Sequence, residues 1–205
     1  MLRRAYAEKP YEFILTVLVV VSAGMAALTG YLSALNGEAE ADFRGEGLGA
    51  LTKASTNALE ANQIILRDER ILITADFADT IGETEFAQEL RNRTRVVRLG
   101  YLDFNGNGTP EYDGDYDTAV NAYLEDMFAP QQENQTRSDI AFANAEIVSA
   151  KEVDFLLGTI LFALAAVLAG QGLAADSQRV RRLFTYIVVG FLSIPIGLTV
   201  FTAFG

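Results

Sequence analysis

Three uncharged apolar blocks constrain this chain more than any other feature. Phe13–Leu35, Phe155–Ala175 and Phe184–Phe204 each run for about the 20 residues that a helix needs to cross the hydrocarbon core of a bilayer. None carries Asp, Glu, Lys or Arg, and Gln171 is the strongly polar side chain of the second block, near its end. Tyr6, Tyr11 and Tyr31 around the first block, and Phe155 and Phe184 at the starts of the others, are suitable interface anchors in a chain without Trp. The first block follows Arg3, Arg4 and Lys9, as the core of a signal peptide would. Its apolar run exceeds the ~7–15 residues of such a core, which favours an uncleaved anchor.

Lys and Arg near the spans set the expected direction. Arg3, Arg4 and Lys9 precede the first span, and Arg179, Arg181 and Arg182 lie between the second and third. Two crossings separate these segments, so they share a side, and both are expected in the cytoplasm. Residues 38–154 carry 24 acidic and 10 basic residues, a net charge of -14, and are expected outside with the C-terminus. The expected organisation is therefore a cytoplasmic N-terminus (1–12), a first span (13–35), an extracytoplasmic acidic helical domain (36–154), a second span (155–175), a basic cytoplasmic loop (176–183) and a third span (184–204). In fold class this is an all-α membrane protein, with three transmembrane helices and an extracytoplasmic helical bundle inserted between the first and second.

Within the acidic segment, residues 36–47 (NGEAEADFRGEG) read as a short linker. From Leu48 to about Thr80, Leu48, Leu51, Ala54 or Ser55, Ala58 or Leu59, Asn62, Ile65 or Leu66, Glu69, Leu72 or Ile73, and Phe77 recur at spacings of three and four and trace one face of a long helix. Gly82 should end it, and Thr84 could cap a second helix running to about Arg98. Residues 100–117 are dense in Gly, Asn, Asp and Pro and read as a loop. A short helix should then stop near Phe128, ahead of Pro130. A last helix from about Thr136 meets no Pro or Gly before Phe155, so it should continue into the second span. An Ala-rich helix after one anchor (ALTKASTNALEANQIILRDE) and a helix feeding a hydrophobic pair (DFLLGTILFALAAVLAGQGLAADSQRVRRLF) complete the layout. In these stretches the chain resembles three-span membrane proteins of bacteria and archaea, including those grouped as DUF4337-like. The resemblance implies topology and assigns no activity or site residue.

The sharpest local motif is Asp103-Phe-Asn105-Gly-Asn107-Gly108-Thr109-Pro-Glu111-Tyr-Asp113-Gly-Asp115. Alternate oxygen side chains followed by Gly match the first half of an EF-hand-type calcium loop, where they converge on one cation as the chain curls. Asp103, Asn105, Asn107, the Thr109 carbonyl and Glu111 are the candidate ligands. The twelfth position holds Gly114 where a bidentate Glu is expected, which leaves Asp113 or Asp115 to substitute. A solvated Asx/Gly turn accounts for the same residues and is favoured by that missing ligand. Calcium is thus the one cofactor the sequence suggests.

A second cluster is Arg91, Arg93, Arg95 and Arg98. On one helix, Arg91, Arg95 and Arg98 would share a face, suited to an anion or lipid headgroup. Pairing with the surrounding acids is the simpler expectation. Asn92, Asn107 and Asn134 begin N-x-S/T sequons. In the first span, Ser22, Ala26 and Gly30 recur every four residues, as helix-packing contacts do.

Several function classes are disfavoured. The net charge of -11 argues against general nucleic-acid binding. There is no His to serve as general base and no Cys for disulfides or thiolate sites. A Ser–Lys pair using Lys53 or Lys151 has no spacing to recommend it. The spans lack the ionisable residues that mark proton and ion pathways. The expectation is a non-enzymatic accessory or scaffold protein, whose partners are the lipid bilayer and a membrane protein or a second copy. A calcium-binding sensor or channel-like homo-oligomer is the alternative.

Overall fold

The computed structural model describes residues 10–104, 110–111 and 116–204, with backbone alone for Pro110, Glu111 and Phe204. It is almost entirely helical. The order is α1 (Pro10–Thr80), α2 (Thr84–Asn92), α3 (Arg95–Arg98), β1 (Asp103–Phe104), β2 (Pro110–Glu111), α4 (Tyr116–Ala174) and α5 (Gln178–Phe204). Three of these helices, α1, α4 and α5, are long and apolar enough to cross a membrane. The chain divides into two compact units, one of residues 1–44 and 142–205, the other of residues 45–141.

In the first unit, Leu15 of α1, Phe162, Ala165 and Ala169 of α4, and Val188 and Leu192 of α5 form a buried apolar core. Small residues let the backbones approach. Gly30 sits against Thr159, and Gly158 against Thr29 and Thr199. The Thr159 hydroxyl lies 2.9 Å from that of Thr29, while each also bonds a carbonyl one turn back on its own helix. Ser22 is fully buried, so the small-residue register of the first span is used for packing within the chain. Outward-facing residues on all three helices, such as Val20, Leu28, Leu157, Leu164, Val189 and Phe201, are large and apolar.

The tight α4–α5 turn is closed by Arg181. Its Nε donates to the Ala175 carbonyl at 2.8 Å, and its Nη1 pairs with Glu12 near the start of α1 at 2.7 Å. A cation there satisfies carbonyls that α4 leaves open at its C-terminus. Ser177 caps α5 by accepting the Arg179 N–H. Much of the expected 176–183 loop is therefore helix, because Gln178 already begins α5.

Two expected breaks are absent. Residues 36–47 are helical, and α1 runs without interruption from Pro10 to Thr80. The Glu40–Arg44 pair, one helical turn apart, supports this stretch. Two of the three glycines that suggested a linker are places of close approach: a Cβ on Gly37 would meet Glu152 Oε1 at 3.1 Å, and Ser138 donates to the Gly47 carbonyl at 3.0 Å, while Gly45 faces open space. Pro130 likewise fails to end a helix, and α4 passes through it from Tyr116 to Ala174. Pro130 is exposed, so water can satisfy the carbonyl that its missing N–H leaves open. Met127 before it and Ser138 after it are both buried, which holds the flanking turns in place. As expected, the helix that holds residues 136–154 continues without a break into the second apolar block.

The end of α1 has a Schellman-type stop. Gly82 has φ +89°, and the Glu83 N–H bonds back to the Ala78 carbonyl at 2.9 Å. Glu83, not Thr84, occupies the N-cap of α2. That helix stops at Asn92, so the expected single helix to Arg98 is two pieces, the second ended by Gly100 at φ +78°. The expected 100–117 loop contains a minimal antiparallel ladder, with Asp103 opposite Glu111 and Phe104 opposite Pro110.

Candidate functional site

Asp68 is the centre of polar organisation in the 45–141 unit. It lies in α1 and is only 3% exposed. Its Oδ2 accepts the Arg95 N–H at 2.6 Å, the Val96 N–H at 3.2 Å and the Tyr123 hydroxyl at 3.1 Å. Thr94 stands at the N-cap of α3, yet its hydroxyl donates to the Arg91 carbonyl. The carboxylate from α1 takes the cap's place, satisfying first-turn amides that α3 cannot satisfy itself. Its other oxygen faces Arg67 Nη2 at 3.5 Å. Burial, then the adjacent Asp68 charge and hydrogen bond, push the Tyr123 hydroxyl up to about 12. Around this node Ala61, Val96, Leu102, Tyr123 and Met127 form an apolar core. The Tyr101 and Tyr123 rings are 5.6 Å apart.

Arg91 is the second node, also 3% exposed. Its guanidinium bridges Asp76, at 2.9 Å, and Asp79, both on α1, and lies 5.1 Å from the centre of the Phe104 ring. Burial opposes its charge, but the bonds to the two carboxylates outweigh that and hold its pKa above the ordinary value. This one side chain ties α2 to α1 and to the first strand of the hairpin.

The arginines therefore do not share a face. Arg91 turns to Asp76 and Asp79, and Arg93 pairs with Glu89 one turn back. The break at Thr94 places Arg95 and Arg98 beside Arg67 and Ile64 of α1, around an open cleft of about 410 Å3. A neighbouring cleft of about 270 Å3 is bounded by Glu60, Arg95, Asp126 and Pro130. Internal pairing is thus the arrangement of Arg91 and Arg93, while the three cleft arginines could meet an anion.

Of the calcium-loop candidates, Asp103 is exposed, and its Oδ1 accepts the Phe104 N–H at 2.8 Å. Glu111 is its partner position in the ladder. Asn105, Asn107, Thr109, Asp113 and Asp115 lie outside the described residues. Among the described residues no three acidic side chains gather closely enough to hold a metal ion.

A row of exposed apolar side chains runs along α1 in the 45–141 unit. Ala50, Ala54, Ala61, Asp68 and Ala75 face inward and are buried. Leu48 (58% exposed), Leu59 (64%), Leu66 (52%), Ile73 (62%) and Phe77 (65%) face outward. At about 100° per residue these five fall within roughly 40° of arc, opposite the alanines. Of the periodic positions read from the sequence, Leu48, Leu51, Leu59, Asn62, Leu66, Glu69, Ile73 and Phe77 are exposed, while Ala54 is buried and Ala58, Ile65 and Leu72 are half-buried. The inward face combines small residues, which are weak markers in a hydropathy pattern, with the half-buried Ile64, Ile65 and Leu72 that pack on the core.

No family model matches the chain, and no curated protein or solved structure is significantly similar to it.

Proposed function

We propose that this chain is a non-enzymatic, multi-pass membrane protein that displays an acidic helical domain outside the cell membrane as a surface for protein–protein interaction. The observation that carries this reading is the two-faced character of α1 in the 45–141 unit. Its alanines, with Ile64, Ile65 and Leu72 beside them, serve the fold, while a separate aligned row of large apolar residues is left open to contact. Scattered exposed Leu residues are ordinary, but an aligned row of five is the mark of a contact surface. The buried polar groups support the same reading, because Asp68 and Arg91 hold helices together. The orientation rests on the Lys and Arg bias: the N-terminus and the 176–183 segment are cytoplasmic, and the acidic domain and C-terminus are outside.

Crosslinking of the intact protein in its native membrane, followed by mass spectrometry of the adducts, tests the proposal. A stoichiometric protein adduct through the 45–141 segment is the expected result. Recovery of the monomer alone would overturn it.

A calcium-responsive reading is the second. It is favoured by the β1–β2 register, which brings the first and ninth positions of the calcium-like pattern, Asp103 and Glu111, opposite one another. Its test is a calcium titration followed by thermal melting, and an unchanged melting temperature at millimolar calcium would remove it.

A further inference from the structure

We infer that the Leu48–Phe77 stripe of α1 is a self-association surface, on which two copies of this chain pair in parallel about a two-fold axis. The inference rests on the membrane-anchored interaction reading above and names the partner. Three properties of the stripe select a second copy.

The first is direction. Two copies inserted in one bilayer share their orientation, so their α1 helices run parallel whichever side the domain occupies. Leu59, Leu66 and Ile73 recur every seven residues, the spacing at which parallel helices keep a seam in contact as they wrap left-handed. Leu48 and Phe77 extend the seam at both ends. In an in-register parallel pair, each of these residues meets its own counterpart.

The second is charge. Glu69 and Arg70 are both exposed and flank the stripe on opposite sides, about 60° and 40° from Leu66. A two-fold axis along the seam sets the left flank of one helix against the right flank of the other. Glu69 of each copy then lies level with Arg70 of its mate, giving two opposite-charge contacts. About two turns earlier, Asn62 on the Glu69 flank lies level with Gln63 of the mate, both exposed, and each amide both donates and accepts. Polar residues beside an apolar seam fix register in this way.

The third is area. Five large side chains, each more than half exposed, present on the order of 500 Å2 per copy. That is near the upper end of what a monomer leaves open. Pairing would remove about 1,000 Å2, the lower limit for a specific interface. Anchoring both copies in one membrane raises their effective concentration, so an interface of this size suffices.

The chain has no Cys, so single-cysteine variants report one position each. Leu59→Cys, Leu66→Cys and Ile73→Cys are introduced separately into the full chain and oxidised in native membranes. Each should give a disulfide adduct of twice the monomer mass. Glu60→Cys and Arg67→Cys, roughly 100° around the helix, should give about tenfold less. Glu69→Arg and Arg70→Glu should each lower the Leu66→Cys adduct several-fold, and the two together should restore it. Equal crosslinking at all five positions, or no restoration by the paired charge reversal, overturns the parallel two-fold pairing. An adduct to a different protein at Leu66→Cys overturns self-association while leaving the interaction reading intact. No adduct of any kind, with disulfide or amine-reactive crosslinkers, removes both.

Discussion

Replacing Asp68 by Ala removes the acceptor shared by three donors on two other elements. The Val96 amide and the Tyr123 hydroxyl belong to buried residues, so each would be left without a partner. A buried unsatisfied donor costs about 1–3 kcal/mol. The Arg95 amide is less enclosed and can recover water, at a cost nearer ~0.5 kcal/mol. Allowing for relaxation, the loss should total about 3–5 kcal/mol, which lowers the melting temperature of a chain this size by about 10 °C. Near-ultraviolet circular dichroism suits the measurement, because the chain lacks Trp and the Tyr101–Tyr123 pair sits at the site. Tyr123→Phe alone should cost about 1.5 kcal/mol. The double variant should fall short of the sum by about 1 kcal/mol or more, since the second change removes a bond that is already lost. Amide exchange at Arg95 and Val96 should accelerate with Asp68→Ala. A melting-temperature loss under about 2 °C, or additive single changes, would refute the idea that the carboxylate organises this unit.

Other expectations follow from neighbouring contacts. Arg91→Lys keeps the charge but not the fork that reaches both Asp76 and Asp79, and should cost about 1–3 kcal/mol in thermal unfolding. In the membrane-spanning unit, a Cβ on Gly172 would lie 2.7 Å from Phe184 Cβ and 3.1 Å from Leu15 Cδ1. Gly172→Ala should therefore destabilise the α4–α5 turn by about 1–3 kcal/mol, read as a lower melting temperature in detergent. Alkaline pH should weaken the 45–141 unit. Below pH 10 the Tyr123 phenol is protonated whether the chain is folded or unfolded, and its contribution is complete. Between pH 10 and about 12 the unfolded chain ionises while the folded one holds its proton, so stability falls as pH rises. Burial and Asp126 move Tyr101 the same way. Tyr123→Phe should flatten that slope measurably, as followed by denaturant titration across the same pH range.

The three membrane-length helices were legible because uncharged runs of this length have few other uses. The passage of the helix through residues 136–154 into the second apolar block was legible too, from the lack of any breaker between Thr136 and Phe155. The misread positions share a cause. Gly37, Gly47 and Pro130 look like punctuation in a linear string, but each sits where a neighbouring helix or solvent meets the local need. Asp68 gave no sign, because its partners are 27 to 55 residues away in sequence and an isolated Asp on a helix resembles any solvated one. Arg91 was singled out correctly as a candidate for pairing with the acids. Its separation from Arg95 and Arg98 depends on the break at Thr94, which the run RNRTRVVR does not announce.

The packing of α1 against α4 in the first unit has a consequence for chain entropy. Both ends of the 45–141 segment continue into helices that meet there, at Gly30 with Thr159 and at Gly37 with Glu152. When the 45–141 segment unfolds and these contacts persist, its ends stay together, and the unfolded segment is a closed loop. A covalent crosslink around a loop of about a hundred residues is worth up to ~4.7 kcal/mol. The helix pair acts as such a clasp without any cysteine. Part of the stability of the 45–141 unit therefore resides outside it, and the same segment excised from the chain should unfold more readily than in the intact protein.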